Sequence, residues 1–301
     1  MKKSMILVFI LLLGPIYTIE SLAQFESDNN GASNEFDDSE DIEDEEEAKP
    51  KKSSSRDSAY KSSETFTSKP AVTSEDIENL QKLISANDES GVVKQAAEML
   101  GKDDAHLATL NLLGVFYYQN KKYGLAKLIF NRALKTHPEA FSIHNNLGII
   151  YLAENDLQKA IESFNTASSF KANYDLARTN LGSIFIKYKD YVRALSPLED
   201  SYNQLKPDLR RGNINAIRVA NNYAIALMGV GENAKASKVF EALLETGERN
   251  PIIYLNYSML LVEVLKKKND ALRVLSKLKF MTEDNRILKK AEELERKLSQ
   301  L

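Results

Sequence analysis

Cysteine and tryptophan are absent from these 301 residues, and there are only three histidines, seven prolines and twelve glycines. Without cysteine there is no disulfide, no thiolate metal site, no cysteine nucleophile and no lipid-bearing cysteine at a processed N-terminus. The imidazoles, His106, His137 and His144, show no metal-ligand spacing such as His-x3-His and are expected at structural or surface positions. There is no Gly-x-Ser-x-Gly elbow, no phosphate loop and no dinucleotide glycine fingerprint. Carboxylate pairs such as Glu292-Glu293 fall where a solvated helix face is expected. The sequence therefore predicts a protein that is not an enzyme, with no catalytic residue, no cofactor, no metal and no small-molecule substrate.

Charge is nearly balanced, with 40 Lys plus Arg against 43 Asp plus Glu, but it is segregated. Glu26 to Glu47 holds twelve acids and no base, and Lys49 to Lys69 holds six bases and two acids. From Pro70 onward there are 32 bases and 28 acids, too weak a surplus to nominate nucleic acid as a partner.

The first 23 residues open with Lys2-Lys3, continue with the apolar run Met5 to Ile19 and end in Ser21-Leu22-Ala23. That order is the pattern of a cleavable secretory signal, with the cut expected after Ala23. The apolar run is short for a membrane span and is interrupted by Gly14-Pro15, so no stable membrane anchor is expected. The reading is a periplasmic or secreted protein of a Gram-negative bacterium. Residues 24–73 are acidic and then Lys/Ser-rich, with few large aliphatic side chains, and are expected to form a disordered linker.

Beyond the linker the chain repeats. Leu113-Gly114, Leu147-Gly148 and Leu181-Gly182 lie 34 residues apart, each followed three residues later by an aromatic (Tyr117, Tyr151, Phe185). Small residues follow in step (Ala126, Ala160, Ala194), then large apolar ones (Phe130, Phe164, Leu198), then small ones again (Ala133, Ala167, Ser201). After an insertion of eight residues, 209–216, the series resumes at Tyr223-Ala224, Leu227, Ala236, Phe240 and Leu243. A fainter copy at Tyr257-Ser258 needs one extra residue to place Ala271, Leu275 and Leu278. Within each copy the apolar spacing marks two amphipathic helices, split by polar turns at Asn120-Lys121-Lys122, Glu154-Asn155-Asp156, Lys189-Asp190 and Gly231-Glu232-Asn233. A glycine costs a helix about 1 kcal/mol relative to alanine, so its recurrence at one phase argues for close packing. Gly114, Gly148, Gly182, Ala126, Ala160, Ala194 and Ala236 are the expected packing residues.

These residues resemble the tetratricopeptide-repeat family, whose 34-residue helix-turn-helix unit carries Leu-Gly, an aromatic, Ala, Phe, Ala and Pro at these phases. The resemblance implies an all-α fold, a right-handed α-solenoid of about five repeats: 107–140, 141–174, 175–208, 217–250 and 251–285. A divergent helix pair (74–106) precedes them. A C-terminal capping helix (286–301) follows, with Ile287, Leu288, Ala291, Leu294 and Leu298 on one face.

In this family the first helix of each pair lines a concave groove, and the positions so implied here are Asn111, Val115, Tyr118, Asn145, Asn146, Ile149, Asn180, Asn221, Asn222, Ile225, Asn256 and Met259. Amides recurring at one phase can pair with the backbone of an extended peptide, or with one another between helices. The clamp with which chaperone-binding members hold a terminal carboxylate is missing, since Asn111/Val115 and Leu176/Asn180 stand at its positions. The resemblance thus implies an interaction scaffold that holds an apolar peptide or helix segment of a protein partner in an envelope assembly. Self-association through the end faces is the alternative.

Overall fold

The computed structural model describes residues 71–171 and 174–300; the expected signal segment and nearly all of the linker lie outside them. Every regular element among the described residues is helical. The chain divides between Ile129 and Phe130 into two compact units.

The first unit contains α1 (Ser74–Ser85), α2 (Glu89–Lys102) and α3 (Leu107–Gln119), with α4 (Tyr123–Thr136) carrying the division. Thr73 and Asp76 cap α1 reciprocally: the Asp76 N–H donates to Thr73 Oγ1 at 3.2 Å and the Thr73 N–H to Asp76 Oδ2 at 2.9 Å. Lys102 Nζ, from the end of α2, reaches the same carboxylate at 2.7 Å. That bond, aided by the Thr73 N–H, holds the Asp76 carboxyl down at about 2. Leu80, Ile84, Val92, Ala96, Met99, Leu112, Leu113 and Phe116 form the buried core of this unit.

The second unit stacks four helix pairs and a last single helix. They are α5 (Phe141–Ala153) with α6 (Leu157–Phe170), α7 (Asp175–Lys187) with α8 (Tyr191–Leu205), and α9 (Ile214–Gly229) with α10 (Asn233–Glu245). There follow α11 (Pro251–Met259, continued by a π-helical turn Leu260–Leu265) with α12 (Lys268–Met281), and then α13 (Asn285–Ser299). Each first helix packs on its own partner, and α6, α8 and α10 pack on the first helix that follows them. First helices are therefore hemmed in on several sides, and α9 is buried from Val219 to Met228 without a break. Second helices keep one polar face in water, as their amphipathic patterns require.

One turn geometry closes every pair but the last. Asn155 and Lys189 take the left-handed conformation, and the N–H three residues after each helix end bonds back five residues: Asp156 to Tyr151 O at 2.8 Å and Asp190 to Phe185 O at 2.8 Å. Gly231 with Glu232 to Leu227 O repeats it in the next pair. Within the first unit the same turn occurs at Lys121, and again at Asn87, where Asp88 N–H donates to Leu83 O at 3.1 Å. Asn87 stands one 34-residue period before Lys121, so the divergent first pair has the backbone of a repeat without its signature residues.

The irregularities of the sequence have definite structural outcomes. The extra residue of the last pair is absorbed by the π-helical turn Leu260–Leu265, and the closing bond there spans six residues, Lys267 N–H to Leu261 O at 3.0 Å, with Lys266 left-handed. The insertion 209–216 adds a 3-10 segment (Lys206–Arg211), a left-handed Gly212 and the first turn of α9. It is more than a surface loop, because Leu209 and Ala216 are buried with the core.

Gly148 and Gly182 sit where a side chain has no room. A Cβ on Gly148 would lie 2.7 Å from the Phe164 ring, and one on Gly182 would lie 2.3 Å from Leu198 Cγ. The glycine thus accepts the large residue sixteen positions later in its own pair, while Ala160, Ala194 and Ala236 are fully buried on the second helices.

Candidate functional site

In the second unit, α5, α7, α9 and α11 bring the predicted amides into one row, hydrogen-bonded in two stretches. Asn180 Nδ2 donates to Asn145 Oδ1 at 3.0 Å, and Asn256 Nδ2 donates to Asn221 Oδ1 at 3.1 Å. Between them Asn222 Nδ2 donates to Ser183 Oγ at 2.9 Å, and Ser183 passes its own proton to Thr179 O at 2.7 Å. Within a helix Asn221 reaches Asn222 at 3.2 Å and Asn145 reaches Asn146 at 3.4 Å. The sixth residue of one repeat is thus tied to the fifth or ninth residue of the repeat before it.

This row is buried. Asn145, Asn221 and Asn256 have no exposed surface, and Asn146, Asn180 and Asn222 have at most 4%. Ile149, Ile225 and Met259 beside them are equally enclosed. Burial obliges an amide to find partners, and here the partners are other amides and a hydroxyl of the same fold. The half-exposed residues at neighbouring phases of these helices are Leu152, Ser183, Arg218 and Ile252. In the first unit Asn111 and Val115 are buried, and Tyr118 is half-buried with its ring centroid 5.8 Å from that of Tyr123. Burial, and then the neighbouring Tyr123, raise the Tyr118 hydroxyl pKa.

A second set of contacts between repeats was not foreseen from the sequence. Tyr223 Oη donates to Glu199 Oε1 at 2.8 Å and Tyr257 Oη to Glu241 Oε1 at 3.0 Å. Both tyrosines stand at the phase of the leucine in Leu-Gly, and each ring stacks on an aromatic of the second helix before it, Tyr202 at 5.0 Å and Phe240 at 5.4 Å. Burial and the carboxylate raise both phenols, Tyr257 to about 12. The visible trace was a Tyr recurring at one phase with a Glu at a fixed position of the preceding copy.

Among the described residues no group of three or more His, Asp or Glu could hold a metal ion, and no helix is long and apolar enough to cross a membrane. His144 Nε2 lies 2.8 Å from Pro138 O, His106 helps cap α3, and His137 Nδ1 lies 2.9 Å from Thr136 Oγ1.

Residues 111–175 match the tetratricopeptide-repeat family model. Within those residues the chain carries the tetratricopeptide repeat. It is 32% identical over 95 residues to a lipoprotein NlpI homolog of Haemophilus influenzae, covering 32% of this chain and 30% of that protein. A chloroplastic tetratricopeptide repeat domain-containing protein of Arabidopsis thaliana, PYG7, is 28% identical over 111 residues, 36% of this chain and 37% of its own. The chain therefore matches well under half the length of either relative. Among solved structures, PilF of Pseudomonas aeruginosa superposes with a TM-score of 0.59 at 18% identity, covering 74% of this chain and 96% of that one. At that identity the likeness is one of fold, and the fold is a tetratricopeptide-repeat solenoid. Repeats of this kind generally serve as non-enzymatic scaffolds for protein–protein interaction.

Proposed function

We propose that this chain is a non-enzymatic scaffold of the cell envelope that holds an apolar segment of a protein partner along its first helices. The observation that carries this reading is the amide row, a polar spine in phase through α5, α7, α9 and α11, bonded from Asn145 to Asn180 and from Ser183 through Asn222 and Asn221 to Asn256, with apolar residues on either side. Because these bonds between helices are made within the fold, the face is preformed and pays little conformational cost on binding. The partner meets the half-exposed Leu152, Ser183 and Ile252 first, while Asn145, Asn146, Asn180, Asn221, Asn222 and Asn256 fix the spacing of the helices beneath. Asn111, Val115 and Tyr118 hold the corresponding phases in the first unit. The absence of a basic pair at the clamp positions favours an apolar segment over a terminal carboxylate. Support for the envelope comes from the export-like first 23 residues and from the Haemophilus relative, which is named a lipoprotein. A lipid anchor is not carried over, since these residues contain no cysteine.

The test is affinity capture from envelope extract with wild type, Leu152→Glu and Ile252→Glu, read by mass spectrometry beside circular dichroism. A partner recovered by wild type and lost from both variants at unchanged helicity is the expected result. Equal recovery by all three would remove the face from the interaction.

A further inference from the structure

The outer face of α12 differs from those of the other second helices. On α6, α8 and α10 the exposed cations share the surface with acids: Lys159 with Glu162, Arg193 with Glu199 and Asp200, Lys235 and Lys238 with Glu241 and Glu245. From Lys266 to Met281 there are six bases and one acid. Arg273, Lys277 and Lys279 are exposed along the helix, with Lys266, Lys267 and Lys268 exposed at its start. The one acid, Asp270, pairs with Arg273 at 3.2 Å, and Lys279 reaches Glu295 of α13 at 3.1 Å. In the same surface stand Leu272, 43% exposed, and Phe280, 91% exposed, the most exposed large apolar side chain among the described residues. Successive residues of a helix are rotated by about 100°, so Arg273, Ser276, Lys277 and Phe280 fall on one side and Leu272 at its margin.

We propose that this face of α12 is a peripheral docking surface for an anionic lipid bilayer. A phenyl ring that projects from a convex helix has no protein groove around it to receive a peptide. It matches instead a deformable apolar phase beneath a layer of negative headgroups, with the lysine ammoniums at headgroup level. The cations supply attraction that salt screens, and Phe280 supplies a short-range apolar contact. Contact of this kind is reversible and spans nothing. It is independent of the first-helix face, which lies on α5, α7, α9 and α11.

The chain's lack of tryptophan makes the test local. Phe280→Trp in the full chain gives a single indole reporter, which is needed because the apolar stretch Met5–Ile19 has its own affinity for bilayers. The probes are vesicles of phosphatidylcholine alone and of phosphatidylcholine with about a third phosphatidylglycerol, at low salt and at physiological salt. The expected result is a blue shift of the indole emission, with quenching by lipid-borne quenchers, only on the anionic vesicles, and its loss as salt rises. Arg273→Gln and Lys277→Gln, each added to the reporter variant, should weaken the effect on the order of fivefold per cation removed. An unshifted indole emission on anionic vesicles overturns the proposal. So does a shift produced by a soluble Glu-rich peptide but not by vesicles, which would reassign the face to an acidic protein segment.

Discussion

A methyl group on Gly182 would be placed 2.3 Å from Cγ of Leu198, whose side chain is wholly buried and has nowhere to go. In an open helix Gly→Ala gains about 1 kcal/mol, whereas forcing a carbon into a filled core costs about 1–3 kcal/mol. Gly182→Ala should therefore lower the thermal midpoint by a few degrees, and Leu198→Ala added to it should cost less than its effect alone, because the two share one space. Differential scanning calorimetry of the two single variants and the double variant reads this; a midpoint raised by Gly182→Ala would show that the contact yields. The residues that gave this away in the sequence were the glycines themselves, which stand at one phase against a helix's preference. The burial of the amides was less legible. The sequence aligned Asn146, Asn180, Asn222 and Asn256, but a recurring amide reads the same whether it faces a ligand or its neighbour, and only the 3.0 Å bond from Asn180 to Asn145 separates the two. The tyrosine joints to Glu199 and Glu241 went unseen because Tyr at a leucine phase looks like decay of the motif.

At the scale of elements, the turns were legible and their exceptions were not. Lys121, Asn155 and Lys189 fall in polar runs that break helix periodicity, and all three are left-handed. The first pair was expected only as a divergent helix pair, without a repeat signature, because its large and small residues have changed places. Leu80 stands at the glycine phase and Ala96 at that of Phe130, and both are buried, so volume is kept while the signature is lost. The single extra residue of the last pair was visible as a slip in register, yet its shape was not, since a loop and a π-helical turn leave the same gap in a sequence. A π-helical turn that merely accommodates an insertion should tolerate removal of that insertion. Deleting Val264 should give Leu261 and Ala271 the spacing that Leu227 and Ala236 keep, leave helicity intact and shift the thermal midpoint by no more than a few degrees. Deleting Leu227 from the buried stretch of α9, by contrast, should abolish cooperative unfolding, because every buried side chain beyond it would turn out of the core. Calorimetry of the two deletions decides it, and collapse of the Val264 deletion would mean that the π-helical turn is required.

At the scale of the whole molecule, a stack of amphipathic pairs ends in an apolar face that something must cover. Here α13 covers it, burying Ile287, Ala291, Leu294 and Leu298 against α11 and α12 while presenting charge outward. Its last turn is pinned by Lys297, whose ammonium pairs with Glu263 in the π-helical turn and lies 3.4 Å from Glu293. Glu263 is the more constrained partner, with a side chain only 8% exposed. Removing Lys297 therefore leaves a nearly buried carboxylate uncompensated, which costs more than the exposed half of the pair would suggest. Lys297→Ala should destabilise the chain more than Lys297→Ala combined with Glu263→Gln. A chain ending at Asp284 should show a mass that rises with concentration in sedimentation equilibrium, because the faces that α13 covers would then meet each other. If that shortened chain stays monomeric and fully helical at high concentration, α13 is not a cap, and end-to-end association loses the apolar face on which it depends.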